Sequence, residues 1–248
     1  QLYLPFAQNG NVEILTRSGT KKAIRIHEIH MEEDAGKLIH STVDKTTLTD
    51  YNRCGVPLIE IVSEPDFRTA EEVIVFLEKL KSTFEYLGIS DCKMQEGSMR
   101  ADINLSVRPY GSETLGTRTE MKNLNSFKAI ERAINFESKR QIELIDSGGE
   151  VVQETRRWDD NKGISISMRS KENAQDYRYF PEPDIPPLYI SEKMIHDIKN
   201  NMPEFADDKI QRYVTEFGIA KADAEIIAGS KYLARLFEDT VAICNEPK

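Results

Sequence analysis

The hydrophobic pattern alternates between two-residue and helical periods, and its sharpest feature is V-P-L-I-E-I-V-S-E-P-D at residues 56–66. This stretch predicts a buried β-strand in which Leu58, Ile59, Ile61 and Val62 surround one carboxylate, Glu60. Side chains alternate faces along a strand, so Glu60 and Glu64 share one face, roughly 13 Å apart at about 3.3 Å per residue. Pro65 cannot donate to a ladder and closes the strand. Residues 1–22 predict a frayed strand and a hairpin, with turn signals at Gln8-Asn9-Gly10-Asn11 and Ser18-Gly19. A second strand starts at Ala23 and would place Ile24, Ile26, Glu28, His30 and Glu32 on one face. The apolar positions then move to Ile29 and Met31, so either a bulge intervenes or both faces are partly buried.

Helical spacing follows the Glu60 strand. Val73, Phe76, Leu77, Leu80, Phe84 and Leu87 form its stripe, Thr69 or Asp66 can cap it, and Gly88 stops it. The cleanest alternation is Met99 to Pro109. Ala101, Ile103, Leu105 and Val107 face one way, and Arg100, Asp102, Asn104, Ser106 and Arg108 the other. Residues 117–122 predict a strand carrying Arg118, Glu120 and Lys122 on one side. A helix capped by Asn123 or Asn125 should then run to about Asp146 on Phe127, Ile130, Ile134, Ile142 and Ile145. A hairpin at 150–169 turns inward Ile164, Ile166 and Met168. The aromatic, proline-rich stretch D-Y-R-Y-F-P-E-P-D at Asp176–Asp184 makes stiff backbone, suited equally to a packed connector or to stacking. After Pro186-Pro187 the pattern is helical only: from Ser191, and over 204–217, 222–227 and 230–244. The reading is therefore an α+β chain, mostly antiparallel sheet with helices over residues 1–190, followed by an all-α segment at 191–248.

Composition narrows the classes. Of 248 residues, 39% are hydrophobic and 30% charged, as in a water-soluble domain, and no apolar run approaches the roughly 20 residues that cross a bilayer. A net charge of −9 disfavours broad nucleic-acid binding through phosphates. Three widely spaced cysteines suggest neither a disulfide framework nor a zinc knuckle, which fits the cytoplasm. Gln1 stands where an initiator Met is expected, so the chain reads as part of a longer protein.

Fingerprints for zinc peptidases, P-loops, nucleophile elbows and dinucleotide folds are absent. What remains is a set of strand-borne carboxylates (Glu32, Glu33, Glu60, with Glu64 and Glu96) and cations (Arg100, Arg108, Arg118, Lys122). Hard carboxylate oxygens suit Mg²⁺, which keeps waters or phosphate oxygens in its other positions. Arg and Lys would offset charge on a transferring phosphoryl group. The same residues also suit plainer roles: Glu32-Glu33-Asp34 a charged turn, and the 100–108 row a solvated sheet face.

Several of these segments together resemble the B-subunit family of aspartyl/glutamyl-tRNA amidotransferases. They are H-M-E-E-D-A-G-K (30–37), P-L-I-E-I-V-S-E-P-D (57–66), E-G-S-M-R-A-D-I-N-L-S-V-R-P (96–109), K-N-L-N-S-F (122–127), Q-E-T-R-R (153–157) and D-Y-R-Y-F-P-E-P-D-I (176–185). The match is collinear along essentially the whole chain. It implies a glutamine-synthetase-like cradle followed by a helical domain, and an ATP- and Mg²⁺-dependent ligase. That enzyme phosphorylates Glu or Asp misacylated on tRNA and amidates it with ammonia channelled from an amidase subunit (A), in a heterotrimer completed by a small subunit (C). On this resemblance Glu32 and Glu60 are the metal ligands with Glu33 beside them. Arg100 completes the expected catalytic set, and Glu96, Asp102, Asn104, Arg108, Arg118 and Lys122 are expected at the nucleotide. Two further readings are an archaeal-type E subunit with the same cradle and a non-catalytic scaffold that docks the amidase. The family's N-terminal G-L-E-V-H strand and C-terminal tRNA-binding tail are not in this sequence, so the chain alone is expected to be inactive. No amidase nucleophile is evident either.

Overall fold

A computed structural model describes residues 4–41, 43–170, 186, 187 and 189–244. The stretch at 176–184 lies outside the described residues. The fold is mixed α+β and divides into two compact units, one reaching to Arg68 and the other starting at Thr69 and including 189–244.

In the first unit, β1 (Ala7–Leu15), β2 (Lys21–Glu33) and β5 (Pro57–Ser63) form an antiparallel sheet in the order β1-β2-β5. Between them, β3 (Lys37–His40) and β4 (Thr47–Asp50) make a separate two-stranded ribbon. The expected turn at Gln8–Asn11 does not form. Asn9 takes left-handed backbone (φ 56°) inside β1, level with His27 of β2, where the β2–β5 register shifts. That bulge is the one the apolar pattern called for: Ile24 and Ile26 are buried before it, and Ile29 and Met31 take over their face after it. The Glu60 strand is not buried as the sequence suggested. It lies at the sheet's edge among the described residues, Ile59 is 47% exposed, and Glu60 reaches solvent. Past its end, Asp66 accepts from the Arg25 backbone N–H (3.0 Å) and from the guanidinium (2.9 and 2.6 Å), which ties the chain exit to β2.

The second unit opens with α1 (Ala70–Leu87). Thr69 caps it, accepting from the Glu72 N–H, and Gly88 ends it at φ 72°. Val73, Phe76 and Leu77 are buried as the periodicity predicts. A four-stranded sheet follows in the order β6 (Ile103–Leu105), β7 (Thr119–Lys122), β8 (Glu154–Asp159), β9 (Ile164–Ser170). The β7–β8 pair is parallel, and its crossover is α2 (Phe127–Asp146).

Here the structure corrects the sequence reading at four points. Ser126, not Asn123 or Asn125, caps α2 by accepting from the Ala129 N–H. Asn123 is in left-handed backbone and donates to the Trp158 carbonyl at 2.9 Å. Ile142 and Ile145 are 48% and 46% exposed, because the buried stripe runs instead through Ala129, Ile130, Ala133, Ile134, Glu137 and Gln141. Of the predicted 99–109 strand only Ile103–Leu105 pairs. Gln141 takes the next ladder position, accepting from Val107 N–H and donating to the Leu105 carbonyl, each at 3.2 Å. In β9, Ile164 and Met168 face outward while Ser165 is buried, because the inner face must supply donors to a carboxylate on α2.

That carboxylate is Glu137, with 0% exposure. It accepts from Thr119 of β7 (3.0 Å), Ser165 of β9 (2.9 Å), Gln141 (3.1 Å) and the Arg140 guanidinium (2.9 and 2.6 Å), and Arg156 of β8 stands 3.4 Å away. Burial alone would push its pKa up. Arg140, Gln141 and Ser165 outweigh that and hold it below the usual carboxylate range.

The all-α part consists of α3 (Glu192–Asn200), α4 (Ala206–Glu216), α5 (Lys221–Ala228) and α6 (Lys231–Cys244). Tyr213, Ala224 and Ala228 form the core of α4–α6, packed by Phe217 and Phe237. Tyr86 of α1 donates to the Ala228 carbonyl and accepts at its own carbonyl from Lys231, both at 2.8 Å, so α1 is bolted to these helices. No helix among the described residues is long and apolar enough to cross a membrane.

Two outcomes follow from these networks. Glu137→Ala strands Arg140, Thr119 and Ser165 without their acceptor and should destabilise the chain by about 3 kcal/mol in urea unfolding. A loss below about 1 kcal/mol would show that the network is dispensable. Asp66 has its pKa lowered to about 2, first by the Arg25 hydrogen bond. A depressed carboxylate stabilises above its unfolded value and loses that contribution as pH falls through the folded one. Wild type should therefore shed about 1 kcal/mol between about pH 4 and pH 2 that Asp66→Asn lacks, the figure being reduced for the exposed Arg25 partner. Parallel acid titrations of stability check it.

Candidate functional site

The β2–β5 ladder pairs His30 with Glu60, Glu32 with Leu58 and Glu28 with Val62. Alternation then puts Glu28, His30, Glu32 and Glu60 on one face. Glu60 and Glu32 are diagonal neighbours on that face, one register step apart across the ladder. Partial burial pushes the Glu60 pKa up, the Glu32 contact and charge push it further, His30 pulls it down, and Glu28 adds a smaller upward push. Two acids held side by side in this way stabilise either a shared proton or a cation between them.

Around this pair, His30 is 9% exposed and its Nε2 lies 3.3 Å from Glu28 Oε1. His27, on the bulge, reaches Glu64 at 2.8 Å through Nδ1. Glu33 follows Glu32 along the strand, so it projects to the opposite face, at the position paired with Pro57. Asp34 has its cation in Arg53, 2.7 Å away, which relieves part of the repulsion in the acidic run. The β2–β5 register puts Glu32 and Glu60, the two expected metal ligands, on one face of adjacent strands. The sequence reading left Glu28 and His30 out of the site, although the two-residue spacing 28–30–32 was the available signal.

Mg²⁺ chemistry can be tested against these groups. Among the described residues, no three or more His, Cys, Asp or Glu side chains are placed to hold a metal ion together. That disfavours a closed zinc site, which needs a full protein shell. A pair of carboxylates fits Mg²⁺, which takes one or two such ligands and completes its shell with water and phosphate.

The expected nucleotide residues lie in the second unit and do not form one continuous row. Lys122 Nζ joins Asp102 (2.6 Å) and Glu120 (3.1 Å), and Glu120 accepts from Thr155 at 2.9 Å. Asn104 pairs with Glu120 across β6–β7, so Asp102, Asn104, Glu120 and Lys122 make one cluster on the sheet face away from α2. Burial lowers the Lys122 pKa, but Asp102 and Glu120 outweigh it, and the net shift is upward. Arg100 and Arg118 are exposed, two residues before Asp102 and Glu120 respectively. Arg108 turns into its own loop and donates to the Glu113 carbonyl at 2.7 Å, and Glu96 pairs with Lys93 at 3.0 Å.

The exposed Lys122 pairs contribute little to folding. Lys122→Ala should change unfolding free energy by less than about 1 kcal/mol, checked by urea titration. A loss of several kcal/mol would make Lys122 a structural residue.

Comparison with known proteins gives a consistent result. Residues 1–196 match the family described as the GatB/GatE catalytic domain. The whole chain is 66% identical to the B subunit of the aspartyl/glutamyl-tRNA(Asn/Gln) amidotransferase of Lachnoclostridium phytofermentans, covering 52% of that protein. It is 62% identical to the corresponding B subunit of Lachnospira eligens, covering 51% of it. Over 241 residues, 97% of the chain, it is 57% identical to the B subunit of Caldicellulosiruptor bescii, covering 50% of it. The chain thus spans about half the length of the curated relatives it matches.

Proposed function

The chain belongs to the GatB/GatE catalytic domain family, and from that premise we propose that it carries the kinase and transamidase centre of a tRNA-dependent amidotransferase. The observation that carries the reading is the Glu32–Glu60 pair, two acids on one face of the adjacent strands β2 and β5. In this reading residues 1–190 are the glutamine-synthetase-like cradle and 191–248 begin the helical domain. The relatives named above are all B subunits, which favours that assignment over the E subunit.

Glu32 and Glu60 would hold Mg²⁺, which supplies positive charge beside the ATP phosphates when bound. The chain's own contribution is placement. The β2–β5 ladder fixes both carboxylates on one face, so little reorganisation is left for the moment of reaction. The γ-phosphoryl group passes from ATP to the side-chain carboxylate of Glu or Asp on its tRNA, releasing ADP. Ammonia then attacks the acyl carbon, the C–O bond to phosphate breaks, and the amide and inorganic phosphate leave. Ammonia comes from a separate amidase subunit, with a small third subunit completing a cytoplasmic heterotrimer.

The test compares nitrogen donors in the enzyme assembled around this chain. Amide formation on misacylated tRNA should require Mg²⁺ and ATP and proceed with ammonium as well as with glutamine. Glu60→Gln should lower the ammonium-supported rate by about 100-fold or more while glutamine hydrolysis by the amidase persists. Full ammonium-dependent activity in Glu60→Gln would remove this carboxylate from the site.

A further inference from the structure

We infer that His30 is a positioning residue, braced by Glu28 and set directly across the ladder from Glu60, which keeps the Glu60 carboxylate aligned with Glu32. The inference rests on the proposed reading of the Glu32–Glu60 pair and adds to it a residue whose only work is to hold that pair in place.

Three carboxylates, Glu28, Glu32 and Glu60, share one face of two adjacent strands with a single imidazole among them. Directly opposed residues in an antiparallel pair have Cβ atoms about 4.5–5.5 Å apart, so His30 is the cross-strand neighbour of Glu60. Left to themselves, like-charged side chains so placed rotate apart into solvent, and Glu60 on an edge strand has room to do so. The buried imidazole occupies the cross-strand position beside Glu60 and limits that rotation. It can do so from a fixed position because it is itself buried at 9% exposure and its Nε2 lies 3.3 Å from Glu28 Oε1. Residues that hold metal ligands in place without touching the metal are common around metal sites, and their loss weakens metal affinity. Glu28 orients the ring, the ring restrains Glu60, and Glu60 stays beside Glu32.

The experiment titrates Mn²⁺, as a paramagnetic stand-in for Mg²⁺, into the 248-residue chain with a non-hydrolysable ATP analogue, read by electron paramagnetic resonance. His30→Ala should weaken Mn²⁺ binding by about 10-fold or more, and His30→Gln, which keeps a donor near the same place, should restore it to within about threefold. In the assembled enzyme, His30→Ala should raise the Mg²⁺ concentration for half-maximal rate by a similar factor. Saturating Mg²⁺ should return kcat to near wild type. A merely structural role predicts instead a lowered melting temperature and a kcat that no Mg²⁺ concentration restores, and that result overturns the inference. Wild-type Mn²⁺ affinity in His30→Ala also overturns it, with the Glu32–Glu60 reading left standing. Absence of Mn²⁺ binding in the wild-type chain would remove that reading and this inference together.

Discussion

A carboxylate with no access to solvent must find donors inside the protein or give up its charge, and Glu137 meets that requirement in a way that organises the second unit. Its donors come from β7, β9 and its own helix, with an arginine of β8 close by. Satisfying it therefore fixes α2 against three strands at once. An apolar contact would tolerate a slide of an ångström or two, whereas a carboxylate with this many directed partners does not. The consequence reaches the opposite face. Thr119 can point at Glu137 only if Glu120 and Lys122 point away from it, so the buried network sets which side of β7 presents the Asp102–Glu120–Lys122 cluster.

This also explains where the sequence was legible. Elements governed by their own local chemistry were readable: α1 with its Thr69 cap and Gly88 stop, the bulge that moves the apolar face of β2 from Ile26 to Ile29, and the helices after residue 190. What failed was governed by partners distant in the chain. The rule that puts hydrophobic residues inside selected Ile142, Ile145, Ile164 and Met168, but the inner faces of α2 and β9 carry Glu137, Gln141 and Ser165. A polar stripe that satisfies itself across three strands looks, in sequence, like a solvated surface. The Met99–Pro109 alternation failed for the same reason, since Gln141, far along the chain, takes the ladder position after Leu105. At the candidate site, Glu60 was conspicuous as a carboxylate amid aliphatic neighbours, and Glu32 as part of an acidic run. His30 and Glu28 were left out although the 28–30–32 spacing puts them on the face of Glu32, because only the β2–β5 register sets them across from Glu60 and Val62.

The two carboxylates that dominate the two units make an instructive pair. Both are displaced from ordinary solvent exposure, and burial pushes both pKa values upward. For Glu137 that push is reversed by arginine, amide and hydroxyl donors, all supplied by the chain. For Glu60 it is reinforced by another carboxylate and opposed chiefly by one imidazole. A fold that needed Glu60 only as a structural anchor would be more stable with a donor at position 32, as Glu137 has at 119, 140 and 165. Holding two acids together instead keeps a locally unfavourable arrangement. That difference, and not the presence of carboxylates as such, separates Glu137, whose donors build the fold, from Glu60, whose neighbours raise its pKa.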